Sequence, residues 1–150
     1  MRFIRNALHY AKLIGFAGVI TMIWILAERE SETPKFANGV PKASGAFTNG
    51  RAEGTWTWRY ENGNKMTEGS FVAGKRNGAW KTWFEDGSLK SESTYHQDRL
   101  NGLYVQWHRN GNLKLSGNYV DDKPDGLHTH YDTAGKVIAQ RQFDMGILVE

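Results

Sequence analysis

The residues best equipped for chemistry in this chain are few. His128 and His130 stand at i and i+2, so on a strand both rings point to one side, where zinc would accept two imidazoles. His108 lies one repeat earlier, about 10 Å away with a strand between, so it is no third ligand, and no metal site is assigned. Ser93 sits near His96, but no third group orients that imidazole and no donor cluster awaits an oxyanion. Glu68 and Glu92 recur in one phase, and Glu92 should pair with Lys81 as an ordinary surface ion pair. No glycine-rich phosphate loop is present, because each glycine is accounted for by a turn or by a ring opposite it. The expectation is a protein without catalytic activity and without a cofactor.

What remains is chemistry of recognition. Trp83, Trp107 and Tyr131 share one phase, and Lys90 and Lys114 should lie beside the two tryptophans, close enough for cation–π contact. Such an amphipathic ladder suits a protein partner's loop or strand. A second set is basic: Arg51, Lys75, Arg99 and Lys123 each fall three residues before a repeated glycine and should line one sheet edge. That edge would meet anionic headgroups or an acidic partner. The net charge of +3 is too mild to argue for nucleic acid. The absence of cysteine excludes disulfides, cysteine-based zinc sites and a thiol nucleophile.

The elements that position these residues follow from a strict period. Gly54, Gly78, Gly102 and Gly126 recur every 24 residues, as do Gly63, Gly87, Gly111 and Gly135, and Phe71, Tyr95, Tyr119 and Phe143. Asn62-Gly63, Asp86-Gly87 and Asn110-Gly111 signal hairpins with two-residue type I′ turns, and Ala134-Gly135 is a weaker copy. In that register Gly54 faces Phe71, Trp56 faces Gly69, Trp80 faces Ser93 and Phe84 faces Leu89. The repeated glycines then make room for rings laid across the partner strand. One face carries Trp56, Trp58, Tyr60, Phe71, Trp80, Phe84, Leu89, Tyr95, Tyr104, Leu113, Leu115 and Tyr119. The other is mixed, with Lys81 facing Glu92, Trp83 facing Lys90, Trp107 facing Lys114 and Arg59 facing Met66. The fold class is all-β: an antiparallel meander of repeated hairpins, about nine strands and roughly 40 Å across. Its aromatic face must curl on itself or find a cover.

The domain plan is an N-terminal segment (1–27), a linker (28–35) and a repeat domain (36–150). The last divides into a half-repeat (36–53) and units 54–77, 78–101, 102–125 and 126–149. Arg2 and Arg5 precede an apolar run from Leu13 to Ala27, and Glu28, Glu30 and Glu32 follow, the bias of an N-in, C-out membrane segment. Extended back to Ala7, with Lys12 snorkelling, the run is long enough for a single-pass anchor in the inner membrane. Ile25-Leu26-Ala27 also fits a signal-peptidase site, which would make the domain periplasmic or secreted. Both readings put the repeats outside the cytoplasm.

The stretch Gly78–Tyr95, of the form G-x-W-x-x-W-F-x-D-G-x-L-K-x-E-x-x-Y, resembles the MORN-repeat variant of bacterial proteins. The pattern returns in Gly54–Phe71 and Gly102–Tyr119, and the resemblance covers residues 36–146. Many such proteins are grouped as YwqK-type antitoxins, which implies neutralisation of a protein partner, a toxin, rather than catalysis. MORN-type repeats also serve as membrane-associated scaffolds, which implies the alternative of an envelope scaffold. The last unit departs from the pattern, with His128, Asp132 and Arg141 in place of two aromatics and a small residue. The N-terminal membrane segment shifts the implied role from a cytoplasmic antitoxin towards an immunity-like function at the envelope.

Overall fold

The computed structural model describes residues 33–149; the expected membrane or signal segment and most of the linker lie outside them. The described residues form one antiparallel sheet in which every strand pairs only with its chain neighbours. The strands are β1 (Ala43–Thr48), β2 (Arg51–Arg59), β3 (Lys65–Val72), β4 (Lys75–Trp83), β5 (Leu89–His96), β6 (Arg99–Trp107), β7 (Leu113–Val120), β8 (Lys123–Tyr131), β9 (Val137–Asp144) and β10 (Ile147–Leu148). The meander is as expected, with one short strand more than the count of nine.

The turns exchange places relative to the sequence reading. In the loop Glu61-Asn62-Gly63 only the glycine has positive φ (89°). Its N–H donates to the Tyr60 carbonyl at 3.0 Å, and the Tyr60 N–H donates to the Asn64 carbonyl at 2.9 Å. This is a three-residue hairpin, a type I turn closed by a left-handed glycine and a bulge. Asn62 is spent otherwise: its Oδ1 accepts from the Asn64 N–H at 2.9 Å, and its Nδ2 donates to the Glu85 carbonyl at 2.8 Å. The type I′ loops instead join the units, at Asn49-Gly50, Ala73-Gly74, Gln97-Asp98, Asp121-Asp122 and Met145-Gly146, each with both φ values positive.

The longer hairpin loop changes the register next to it. The inner pairs stand as expected, Gly54↔Phe71, Trp56↔Gly69 and Lys81↔Glu92 among them. Nearer the loop the partners become Arg59↔Lys65, Trp83↔Leu89, Trp107↔Leu113 and Tyr131↔Val137. The expected pairs Arg59–Met66, Trp83–Lys90, Trp107–Lys114 and Phe84–Leu89 do not form, because Met66, Lys90 and Lys114 are the extra residues of a bulge. A one-residue slip moves a side chain to the opposite face. Leu89 and Leu113 therefore sit with Trp83 and Trp107, not on the aromatic face.

A second bulge recurs at the repeat glycines. Between the pairs Ser70↔Asn77 and Gly69↔Trp80, Gly78 and Ala79 have no partner on β3. Gly78 has φ of 78°, and a Cβ there would meet nothing within 4 Å. These glycines thus serve the backbone of a bulge rather than seating a ring. The seats are Gly45, Gly69 and Gly117, where a Cβ would fall inside the rings of Trp56, Trp80 and His128. Each seated ring also donates to the carbonyl ten residues before it: Trp56 to Ala46 at 3.2 Å, Trp80 to Ser70 at 3.3 Å, His128 to Asn118 at 2.8 Å.

The rings lie down on the sheet instead of standing up from it, and so cover the face themselves. Trp80 packs edge-on to Phe71 at 5.1 Å and to Tyr95 at 6.1 Å; His128 packs edge-on to Tyr119 and Phe143, both at 5.1 Å. Burial is shallow in this single layer. Among the described residues only Trp80 and Val105 count as buried apolar side chains.

Candidate partner-binding surface

The face opposite the rings carries the expected ladder in altered form. Alternation and the pairings above put Lys65, Trp83, Leu89, Trp107, Leu113, Tyr131 and Val137 in one row across β3 to β9. Trp83, Trp107 and Tyr131 are half-buried, and Leu113 and Val137 are exposed. The lysines are not where the sequence reading put them. Lys90 Nζ lies 5.7 Å from the centroid of Phe84, which Arg109 also covers at 4.7 Å, and Lys114 holds the equivalent bulge position. The cation over Trp83 is Lys65, at 5.5 Å. A shallow depression lined by Asn64, Lys65, Trp83 and Gly87 opens beside it.

The next rows of this face differ between its two halves. On β2 to β5, Lys65 pairs with Glu68 at 2.6 Å and Lys81 with Glu92 at 2.8 Å. Thr57 Oγ1 adds a hydrogen bond to Glu68 at 3.0 Å. The Lys65 ammonium and this hydroxyl hold the Glu68 carboxyl below its ordinary value. On β6 to β9 the same phases hold Leu113, Val105, Ser116, Val137, Thr129 and Gln140, none of them charged. Leu103 and Leu127, one row further, are 58% and 52% exposed where β2 and β4 have Thr55 and Ala79. The sequence reading missed these leucines. Alternation already set them opposite the rings, and their 24-residue spacing was visible.

Arg51, Lys75, Arg99 and Lys123 all fall at one sheet edge, each exposed and each first in its strand. They do not make a stripe of one sign. Arg99 pairs with Asp121 at 3.5 Å. Asp98 accepts from the Arg76 N–H at 2.9 Å, Asp122 from the Leu100 N–H at 2.8 Å, and Glu53 from the Ala73 N–H at 2.9 Å. The Arg76 backbone bond, then its guanidinium, keeps the Asp98 carboxyl below its usual range. Acidic side chains that accept backbone N–H groups in and beside the type I′ loops are thus interleaved with the cations.

His128 and His108 have structural partners. His128 is 4% exposed and takes a tryptophan's place over Gly117. His108 Nε2 lies 3.0 Å from the Tyr131 carbonyl, matching Tyr60, whose hydroxyl donates to the Trp83 carbonyl at 2.9 Å. A carbonyl only accepts, so in both histidines Nε2 carries the proton.

The MORN repeat variant family model matches residues 52–73, 76–97 and 100–121. Each match runs from the bulged strand of a unit through the type I hairpin to the far end of its partner strand. Unit 126–149 and residues 36–51 of the half-repeat lie outside the matches but continue the same sheet. MORN repeats are often binding modules, and the three matches are consistent with a repeat module of non-catalytic type. No curated protein matches the chain.

Proposed function

We propose that this chain is a non-catalytic, protein-binding repeat module of antitoxin or immunity type. Its apolar segment from Leu13 to Ala27 would hold it at the membrane with the sheet outside the cytoplasm. The observation that carries the reading is the row Trp83, Leu89, Trp107, Leu113 and Tyr131, in which large side chains stand half-buried or exposed on a sheet face that no layer covers among the described residues. Half-exposed rings flanked by aliphatic side chains are the usual anchors of a protein interface. The acidic groups interleaved along the other edge argue against the rival reading, in which cations meet anionic headgroups.

The test is complex formation with the product encoded next to this chain. Trp83→Ala with Trp107→Ala should weaken that complex at least tenfold with little change in melting temperature. Salt-sensitive binding to anionic vesicles, lost on neutralising Arg51, Lys75, Arg99 and Lys123, would instead favour the scaffold reading.

A further inference from the structure

We propose that Asn49, in the loop joining β1 to β2, is a modification site, where the Gly50 backbone nitrogen displaces the side-chain amide and an acid replaces it. The inference concerns the chain's own chemistry and is independent of any partner.

Asparagine precedes glycine at Asn38, Asn49, Asn62, Asn77, Asn101 and Asn110. A glycine nitrogen has no side chain beside it, so it can reach the Cγ of the preceding residue wherever both groups are free to meet. In the reaction the Gly50 nitrogen gives up its proton and bonds to Asn49 Cγ. The Cγ–Nδ2 bond breaks, and ammonia leaves with that proton. Water then opens the cyclic imide: cleavage at Cγ gives aspartate, and cleavage at the Asn49 main-chain carbonyl carbon gives isoaspartate.

Most of these pairs are shielded. At Asn38, Asn62 and Asn110 the amide is held at both ends, Oδ1 by the N–H two residues on and Nδ2 by a carbonyl of the next unit. The glycine after each is engaged too, Gly39 donating to the Phe36 carbonyl, Gly63 to Tyr60 and Gly111 to His108. Asn77 and Asn101 are half-buried inside β4 and β6.

Asn49 and Gly50 are exposed, in a type I′ loop with φ of 51° and 74°. The central peptide of such a loop lies outside the hairpin ladder, and turning it over gives type II′ with the first φ still positive. In the later loops an N–H bond to the preceding unit pins this peptide: Gly74 to Ala52 at 2.9 Å, Asp98 to Arg76 at 3.0 Å, Asp122 to Leu100 at 2.9 Å and Gly146 to Pro124 at 2.8 Å. Among the described residues nothing accepts from the Gly50 N–H, and the Asn49 amide has no partner. One period back from Ala52 lies Glu28, in the linker rather than in a unit. Asp121, at φ of 47° in the same loop position, shows that the aspartate product fits. Isoaspartate adds a backbone methylene between the paired Thr48 and Arg51.

The test is peptide mapping by mass spectrometry of the full-length chain held in mildly alkaline buffer. Asn49 should lose its amide at least fivefold faster than any other Asn-Gly pair among the described residues. Ala73→Asn puts the same dipeptide into the next type I′ loop, where φ is 52° but Gly74 is held by Ala52. The introduced asparagine should convert at least fivefold more slowly than Asn49 in the folded chain, and at a similar rate in urea. Asn49→Gln, copying Gln97 of a later loop, should abolish conversion at this position with circular dichroism unchanged. Equal rates at the two loops in the folded chain, or no conversion at Asn49, would overturn the inference.

Discussion

On the second face, β2–β5 and β6–β9 have one backbone and two chemistries. Both halves carry the same bulges, the same type I hairpins and the same cross-strand register. On the ring face they stay alike even where residues differ: His128 over Gly117 repeats the contact and the hydrogen bond of Trp80 over Gly69. On the opposite face they diverge, with two ion pairs in one half and no charge in the central rows of the other. The difference teaches which face carries the fold. The ring face supplies the packing that every unit needs. The second face differs between the halves, and the proposed partner contact is placed there.

The largest effect should come from showing that the ring face is common to both halves. A methyl group at Gly69 or at Gly117 would enter the Trp80 or His128 ring, and neither ring can leave without giving up its bond to Ser70 or Asn118. Gly69→Ala and Gly117→Ala should each cost about 1–3 kcal/mol in thermal or urea unfolding. A large loss at one and none at the other would mean that the halves differ in their core as well.

Acid should separate the halves more gently. Glu68 is held below its ordinary value by Lys65 and Thr57, so the folded chain binds this proton less tightly than the unfolded one. Its stabilisation is complete above the unfolded value of 4.5 and is lost as pH falls through the lower, folded value. The loss should be under about 1 kcal/mol for so exposed a pair. Hydrogen exchange at low pH should quicken in β2–β3 before β6–β7, where Leu113 and Ser116 replace the pair. Uniform quickening would remove the distinction.

The meander, the inner register and the ring face were legible in the sequence, because a 24-residue period and alternation fix them without coordinates. The positions of Lys90 and Lys114 were not. Asn62-Gly63 has the composition of a type I′ turn, but the Asn62 Oδ1 accepts from the Asn64 N–H, as Asp86 does from Ser88 and Asn110 from Asn112, and this local bond closes a loop of three residues. The resulting third loop residue slides Leu89 and Leu113 onto the second face and leaves the lysines in bulges. Gly54 and Gly78 were misjudged for a related reason: a glycine opposite a ring in register resembles a seat, whereas the seat lies on the neighbouring strand. The basic edge was visible as a period, but the caps supplied by Asp98 and Asp122 were not, since they depend on which turn is type I′.

The most direct measurement transplants the chemistry of one half onto the other. Leu113→Lys with Ser116→Glu copies the Lys65–Glu68 pair onto β7 at two positions that are not buried. The complex with the product encoded next to this chain should weaken at least tenfold, with the sheet intact by circular dichroism. An affinity unchanged by this pair of charges would contradict the claim that the exposed row on this face is the contact surface.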